Sequence, residues 1–207
     1  MSEFTVSKAV AWIKAASAAL EKDEKRLSDL DSAIGDGDHG ANMRRGFVAV
    51  VKKLDTGEPA DLGALFKTVG MTLLSTVGGA SGPLYGGFFL ELGKRSAGQS
   101  AWDAVAMTEA LKGGLGDIQR RGKAELGDKT MVDALSPALD AMAAGGDLAA
   151  ATKAAAETGR DAAHKTAPLL ARKGRASYLG ERSIGHEDPG ANSVALILET
   201  LSSVCEA

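Results

Sequence analysis

The sequence predicts an all-α fold, and three observations carry this. Apolar residues recur at helical rather than alternating spacing, and Val and Ile never gather into segments bounded by hairpin turns. Aromatic residues make up only 4% of the chain, whereas Gly counts 26 and Ala is abundant. That composition suits closely approaching helices better than a β-sandwich. Capping residues (Asp61, Ser100, Thr130 and Asp147) stand directly before four of the periodic runs. The reading is eight helices and no strand, in one domain spanning residues 1–207. Short connections favour antiparallel neighbours. The pattern does not distinguish a layered bundle from a closed ring.

The elements follow in order. Val6, Val10, Ile13, Leu20 and Leu27 share a face and predict a first helix from Thr5 to Leu27. Gly35 and Gly37 interrupt the pattern, and a second helix starts at His39 and runs through Leu54. Asp61 caps a third helix through Leu74. Gly78 to Pro83 is a turn, followed by a strongly buried fourth helix from Leu84 to Gly93 whose glycines permit close packing. Ser100 caps a fifth, from Ala101 to Arg121. Thr130 and Asp133 form a capping box, with Asp in place of Glu, for a sixth that ends near Gly145-Gly146. Asp147 caps a seventh that reaches about Arg172. A long glycine-rich loop from Gly174 to Gly190 leads into the last helix, Ala191 to Val204.

Charge and cysteine usage narrow the function. A net charge of -3 excludes the basic field of a nucleic-acid-coating protein. The lone Cys205 makes neither an internal disulfide nor a cysteine-based zinc site. The N-terminus, Met1 to Phe4, has no basic region followed by an apolar one, so a cytoplasmic location is expected. Thr68 to Leu90 carries no charge, but its glycines and Pro83 divide it into two shorter apolar pieces. It reads as two buried helices around a turn, with no membrane span.

The chemistry concentrates in Asp31-Ser32-Ala33-Ile34-Gly35-Asp36-Gly37-Asp38-His39-Gly40-Ala41-Asn42. Three carboxylates interleaved with glycines lie between two helices, and a tight turn can aim Asp31, Asp36 and Asp38 at one centre. Close carboxylates repel unless protons or a cation compensate them. Hard oxygen donors suit Mg²⁺ or Ca²⁺. The letters Gly35 to Gly40 formally match a dinucleotide fingerprint, but no strand precedes them and two Asp would face the pyrophosphate. An EF-hand register fails because Phe47 falls where the bidentate Glu belongs. A simple Asx/Gly turn between helices is the plainer alternative.

His39 to Asn42 open a helix, whose free N–H groups can receive a phosphate. The Gly78 to Gly82 turn offers a second such helix start, and no Walker A sequence is present. The Gly174 to Gly190 loop has apolar anchors in Tyr178, Leu179 and Ile184, so an ordered lid is expected. In it Arg175 is a candidate phosphate ligand or else a solvated surface residue. His186 reads as a lid residue and His164 as structural or exposed. The basic pairs Arg44-Arg45 and Arg120-Arg121 either steer an acidic partner or are solvated faces.

Together the segments GDGDHG, GGASGPL, GDKTMVDAL and GRASYLGERSIGHEDPGA resemble the nucleotide-binding L subunit or domain of dihydroxyacetone kinases, across essentially the whole chain. The resemblance implies an eight-helix antiparallel barrel. It implies two Mg²⁺ ions held by Asp31, Asp36 and Asp38 and bridging the nucleotide phosphates. His39, Gly40, Ala41 and Asn42 would face the phosphates from one helix, and Ala80 and Ser81 from another. Leu84 and Met131 would flank the adenine, and Gly122, Arg175, Asp188, Pro189 and Gly190 would complete the pocket.

The family has two branches. One fuses the nucleotide domain to a substrate domain and uses ATP. In the other, a separate L subunit keeps ADP as a cofactor, with ATP as intermediate. There a phosphohistidine carrier rephosphorylates the ADP, and a K subunit presents dihydroxyacetone bound covalently through histidine. The chain has L-subunit length and looks like the second branch, with no catalytic side chain of its own. Two alternatives stay open: a subunit of an ATP-dependent kinase for another short ketose, and a nucleotide-sensing module that binds a transcriptional regulator.

Overall fold

The computed structural model describes residues 3–207. The reading of the N-terminus rests partly on Met1 and Ser2, which lie outside them. Nine α-helices are found among the described residues: α1 (Val6–Lys22), α2 (Glu24–Ile34), α3 (His39–Leu54), α4 (Leu62–Thr76), α5 (Ser81–Arg95), α6 (Ala104–Gly122), α7 (Met131–Ala144), α8 (Leu148–His164) and α9 (Pro189–Glu206). A 3-10 helix spans Arg175–Ser183. The all-α reading holds, with several boundaries corrected.

The single first helix is two. The chain breaks at Asp23, and α2 then continues to Ile34, past the Leu27 expected as the end. Asp31 therefore stands on the last turn of a helix and not in a loop. Helix α5 starts at Ser81, so Gly82 and Pro83 belong to its first turn, where a proline lacking an N–H does no harm. Ser100 caps nothing. Ala101–Trp102 form a two-residue strand, β2, which pairs antiparallel with β1 (Phe4–Thr5), and α6 is capped by Asp103. Helix α8 stops at His164 instead of Arg172. The capping box at Thr130 and Asp133 and the caps at Asp61 and Asp147 form as expected.

The helices close into a ring. Contacts run α1–α3–α4–α5–α6–α7–α8–α9 and back to α1, while α2 lies against α3, α9 and the 3-10 helix. Glycines let α4 and α5 touch backbone to backbone: a Cβ at Gly70 would lie 2.7 Å from the Gly86 carbonyl oxygen. Eight of the nine aromatic residues are buried, whereas Tyr178, expected as an apolar anchor of the long loop, is exposed. Phe66 and Trp102 stack with centroids 5.1 Å apart, Phe4 stacks on Trp102 at 5.9 Å, and Trp12 packs edge-on to Phe66. The Trp12 indole N–H donates to the Ile197 carbonyl at 3.0 Å, which satisfies the one polar atom of that ring. Thr68 to Leu90 divides at residues 77–80 as expected, and among the described residues no helix is long and apolar enough to cross a membrane.

Candidate nucleotide and metal site

A cleft of about 270 Å³ opens at one end of the ring. Its wall takes the start of α3 (Asp38, His39, Asn42), of α5 (Ser81, Leu84, Tyr85), of α7 (Thr130, Met131, Val132) and of α9 (Pro189, Gly190). The same wall takes the ends of α2 (Asp31, Ile34) and α6 (Ile118, Gly122) and the turn after α4 (Gly78, Gly79, Ala80). Starts and ends alternate around the rim, as antiparallel neighbours require. The aromatic cluster at Phe4 and Trp102 lies towards the other end, because Trp102 precedes the first turn of α6 while the cleft holds its last.

The capping pattern separates these helix starts. Thr5, Asp61, Asp103, Thr130, Asp147 and Asp188 each accept a backbone N–H from the helix they precede. The starts of α2, α3 and α5 receive no such side-chain bond from the residue before them. Those of α3 and α5 face the cleft and direct the positive ends of two helix dipoles at it, with the His39 N–H already taken by the Asp31 carboxylate. That is a ready receptor for an anion.

Next to them sit the carboxylates. Asp31, Asp36 and Asp38 each bring an oxygen within 4.8 Å of the others. Asp31 reaches its place from α2 and is fixed there by accepting the Asp38 N–H at 2.9 Å and the His39 N–H at 3.1 Å. Glycine is needed around it. A Cβ at Gly35 would lie 2.2 Å from the Asp31 carboxylate, and Gly37 has φ +76, in the left-handed region. Gly40 does not line the cleft. Its missing Cβ lets α3 approach the Glu24 carbonyl, which a methyl group would meet at 2.0 Å. Ala41 does not line it either. Burial raises the Asp31 pKa, and the neighbouring Asp36 and Asp38 raise it further. Three such groups invite a cation, and their all-oxygen donor set fits a hard divalent ion.

His39 is buried, and burial lowers its pKa to about 4, so its ring is neutral at pH 7. Its Nδ1 lies 3.2 Å from the Ser81 hydroxyl and its Nε2 2.9 Å from that of Ser193. Ser193 in turn meets the Tyr85 hydroxyl at 2.7 Å and donates to the Gly190 carbonyl at 3.0 Å. This network ties together the starts of α3, α5 and α9. The Asn42 side-chain oxygen accepts from Arg45, which leaves its N–H₂ as the remaining polar group on that side. Burial raises the Asp188 pKa to about 7, with Asp133 and Asp31 adding to it.

The remaining sequence-predicted residues, Ala80, Leu84, Gly122, Met131, Arg175, Asp188, Pro189 and Gly190, all line the cleft. Leu84 and Met131 share an apolar wall with Ile118, Ala124 and Val132. Sequence reasoning missed Tyr85, Lys129 and Thr130 on the lining and Ser193 behind it. Lys129 and Thr130 stand inside the quoted GDKTMVDAL segment, and Tyr85 directly follows GGASGPL. His186 is exposed and off the cleft, while His164 is exposed and lies 2.8 Å from Glu187. The basic pairs have internal partners: Arg44 pairs with Glu21 and Glu24, and Arg120 and Arg121 pair with the buried Asp117.

Comparison with known proteins agrees with this geometry. The DAK2 domain family matches residues 33–203. The ADP-binding subunit DhaL of PEP-dependent dihydroxyacetone kinase 1 from Listeria innocua is 46% identical over 193 residues, covering 93% of each chain. The corresponding subunit from Escherichia coli is 42% identical, covering 93% of this chain and 94% of that one. A dihydroxyacetone kinase from C. freundii, solved with AMP-PNP and Mg²⁺, superposes with a TM-score of 0.75 at 29% identity. That match covers 94% of this chain, which spans only 33% of the solved one. The chain belongs to the DAK2 domain family.

Proposed function

We propose that residues 1–207 act as one domain, the ADP-binding subunit of a phosphotransferase-dependent dihydroxyacetone kinase in the cytoplasm. It would pass a phosphoryl group from a phosphohistidine carrier, by way of bound nucleotide, to dihydroxyacetone held on a separate K subunit. The observation that carries this reading is the pair of uncapped helix starts, α3 and α5, facing the three-carboxylate cluster in one cleft. The DhaL relatives of matching length support the choice of branch.

In this reading Asp31, Asp36 and Asp38 hold two Mg²⁺ ions. Bound magnesium supplies neutralisation of charge on a transferring phosphoryl group. The chain's own residues do the rest. The starts of α3 (His39, Asn42) and α5 (Ala80, Ser81) receive phosphate oxygens. Leu84, Gly122 and Met131 take the flat apolar face of the base, and Asp188, Pro189 and Gly190 close the pocket from α9. Neutral His39 fixes the hydroxyls of Ser81 and Ser193 without adding charge.

Isothermal calorimetry with ADP and Mg²⁺ tests the reading. Asp36→Asn or Asp38→Asn should abolish Mg²⁺-dependent nucleotide binding while circular dichroism shows the helices intact. Full affinity in Asp36→Asn would remove its assigned role. Reconstitution with a K subunit and a phosphocarrier separates catalysis from nucleotide sensing: the complete set should turn over dihydroxyacetone, and the chain alone should not.

A further inference from the structure

The loop between α8 and α9 is pinned by a lysine that the functional reading does not use. Lys129 is only 1% exposed, and its φ of +61 puts a non-glycine residue in the left-handed region. Its ammonium donates to the carbonyls of Ala167 at 3.2 Å, Leu169 at 3.0 Å and Ser183 at 2.6 Å. Those three acceptors match the three N–H donors of the group. Ala167 and Leu169 lie on the outgoing limb of the loop and Ser183 on the returning one. The limbs also meet directly: the Gly185 N–H donates to the Ala167 carbonyl, and the Asp188 N–H to the Thr166 hydroxyl, each at 2.8 Å. The Arg172 N–H donates to the Asp128 carbonyl beside Lys129 at 3.0 Å.

We infer that Lys129 is a positioning residue: its ammonium plugs the neck of the 165–188 loop and so sets where that loop lies over the cleft. This rests on the nucleotide-binding reading above. The loop carries Arg175 to Asp36 from its middle and leads into Asp188, Pro189 and Gly190 at its end. Both groups therefore hang from the neck that Lys129 fills. The left-handed backbone at Lys129 directs the side chain between the limbs, just before the first turn of α7. A buried cation satisfied only by carbonyls fixes geometry, because each acceptor it loses leaves charge in a poorly solvating place.

The test uses the full chain with Lys129→Met, which keeps the apolar stem, and Lys129→Gln, which keeps two donors. Hydrogen exchange is read first without nucleotide. The amides of Arg172, Gly185 and Asp188 should exchange about tenfold faster or more in Lys129→Met and by an intermediate factor in Lys129→Gln, with the cores of α1 and α4 unchanged. Release of labelled ADP with Mg²⁺ should accelerate about tenfold in step. Unchanged loop amides in Lys129→Met, or unchanged release, would overturn the inference. So would a loss of protection spread evenly over all helices, or failure of both variants to fold, since either makes the residue a general stabiliser. A wild-type chain that holds no ADP would sink the nucleotide reading instead, and the exchange data identify that case because they need no ligand.

Discussion

The Arg175 guanidinium lies 2.5 Å from a carboxylate oxygen of Asp36, so the loop after α8 reaches across the cleft to the carboxylate cluster. Asp36 is one of three groups proposed to hold metal, and Arg175 is the candidate phosphate ligand read from the sequence. The pair thus joins two sites that a nucleotide with its metal would bridge.

That pairing predicts a split in sign for Arg175→Gln. The arginine side chain is 64% exposed, so the ion pair itself is worth little, at most ~1 kcal/mol. Mg²⁺ alone should therefore bind Arg175→Gln no more weakly than wild type, and up to about fivefold more tightly. Affinity for ADP with Mg²⁺ should fall by about tenfold or more as a charge-assisted phosphate contact is lost. Calorimetry with the metal alone and then with the nucleotide measures both; parallel changes would argue against the phosphate role.

Removing the metal should release the nucleotide. ADP should co-purify near stoichiometry and survive gel filtration without chelator, then come off when chelator is added. Mass spectrometry of the supernatant from denatured protein measures the occupancy. Rapid exchange of the retained nucleotide against labelled ATP would favour an ATP-exchanging kinase subunit over a resident cofactor.

Gly40→Ala should disturb the metal site from outside it. The new methyl group would meet the Glu24 carbonyl at 2.0 Å and push α2 away from α3. Overpacking of this kind costs about 1–3 kcal/mol. Because Asp31 rides on α2 and is held by N–H groups at the start of α3, metal affinity should fall along with the urea midpoint. A stability loss with unaltered Mg²⁺ affinity would show that the two helices move as one.

Two buried groups give the nucleotide-free chain opposing responses to pH. His39 has its pKa lowered to about 4 by burial, so between pH 4 and 6.5 the unfolded chain takes up a proton that the folded one refuses. That contribution to stability rises with pH across this window and is lost as pH falls. Asp188 has its pKa raised to about 7, chiefly by burial, so the folded chain keeps a proton that the unfolded one releases above about pH 4. Its contribution falls as pH rises towards 7. Asp188→Asn keeps a good N-cap and removes only the falling part. Its advantage over wild type should grow from pH 4 to 7 by on the order of 3 kcal/mol, as read from urea melts. An advantage that does not change with pH would mean that Asp188 is ionised throughout.

Much of this protein was legible in the sequence because the signals are local. Helical spacing of Val6, Val10, Ile13 and Leu20, the side-chain oxygens of Asp61, Thr130 and Asp147, and the glycines around Asp36 and Asp38 each act within a turn or two of the chain. The family motifs drew in Ala80, Leu84, Gly122 and Met131, which do reach the cleft. Local signals misled where two outcomes are nearly equal in energy. The pattern runs on through Asp23, so the break between α1 and α2 was invisible, and Ser100 looked as good a cap as Asp103. The ring was implied by the resemblance to the family, but tertiary structure alone decided that the starts of α3 and α5 meet through His39 and Ser81 and that the Lys129 ammonium lies between the limbs of a loop. Each of these joins residues tens of positions apart. Such contacts depend on how whole helices pack and on where buried polar atoms find partners, and no short stretch of sequence carries that information.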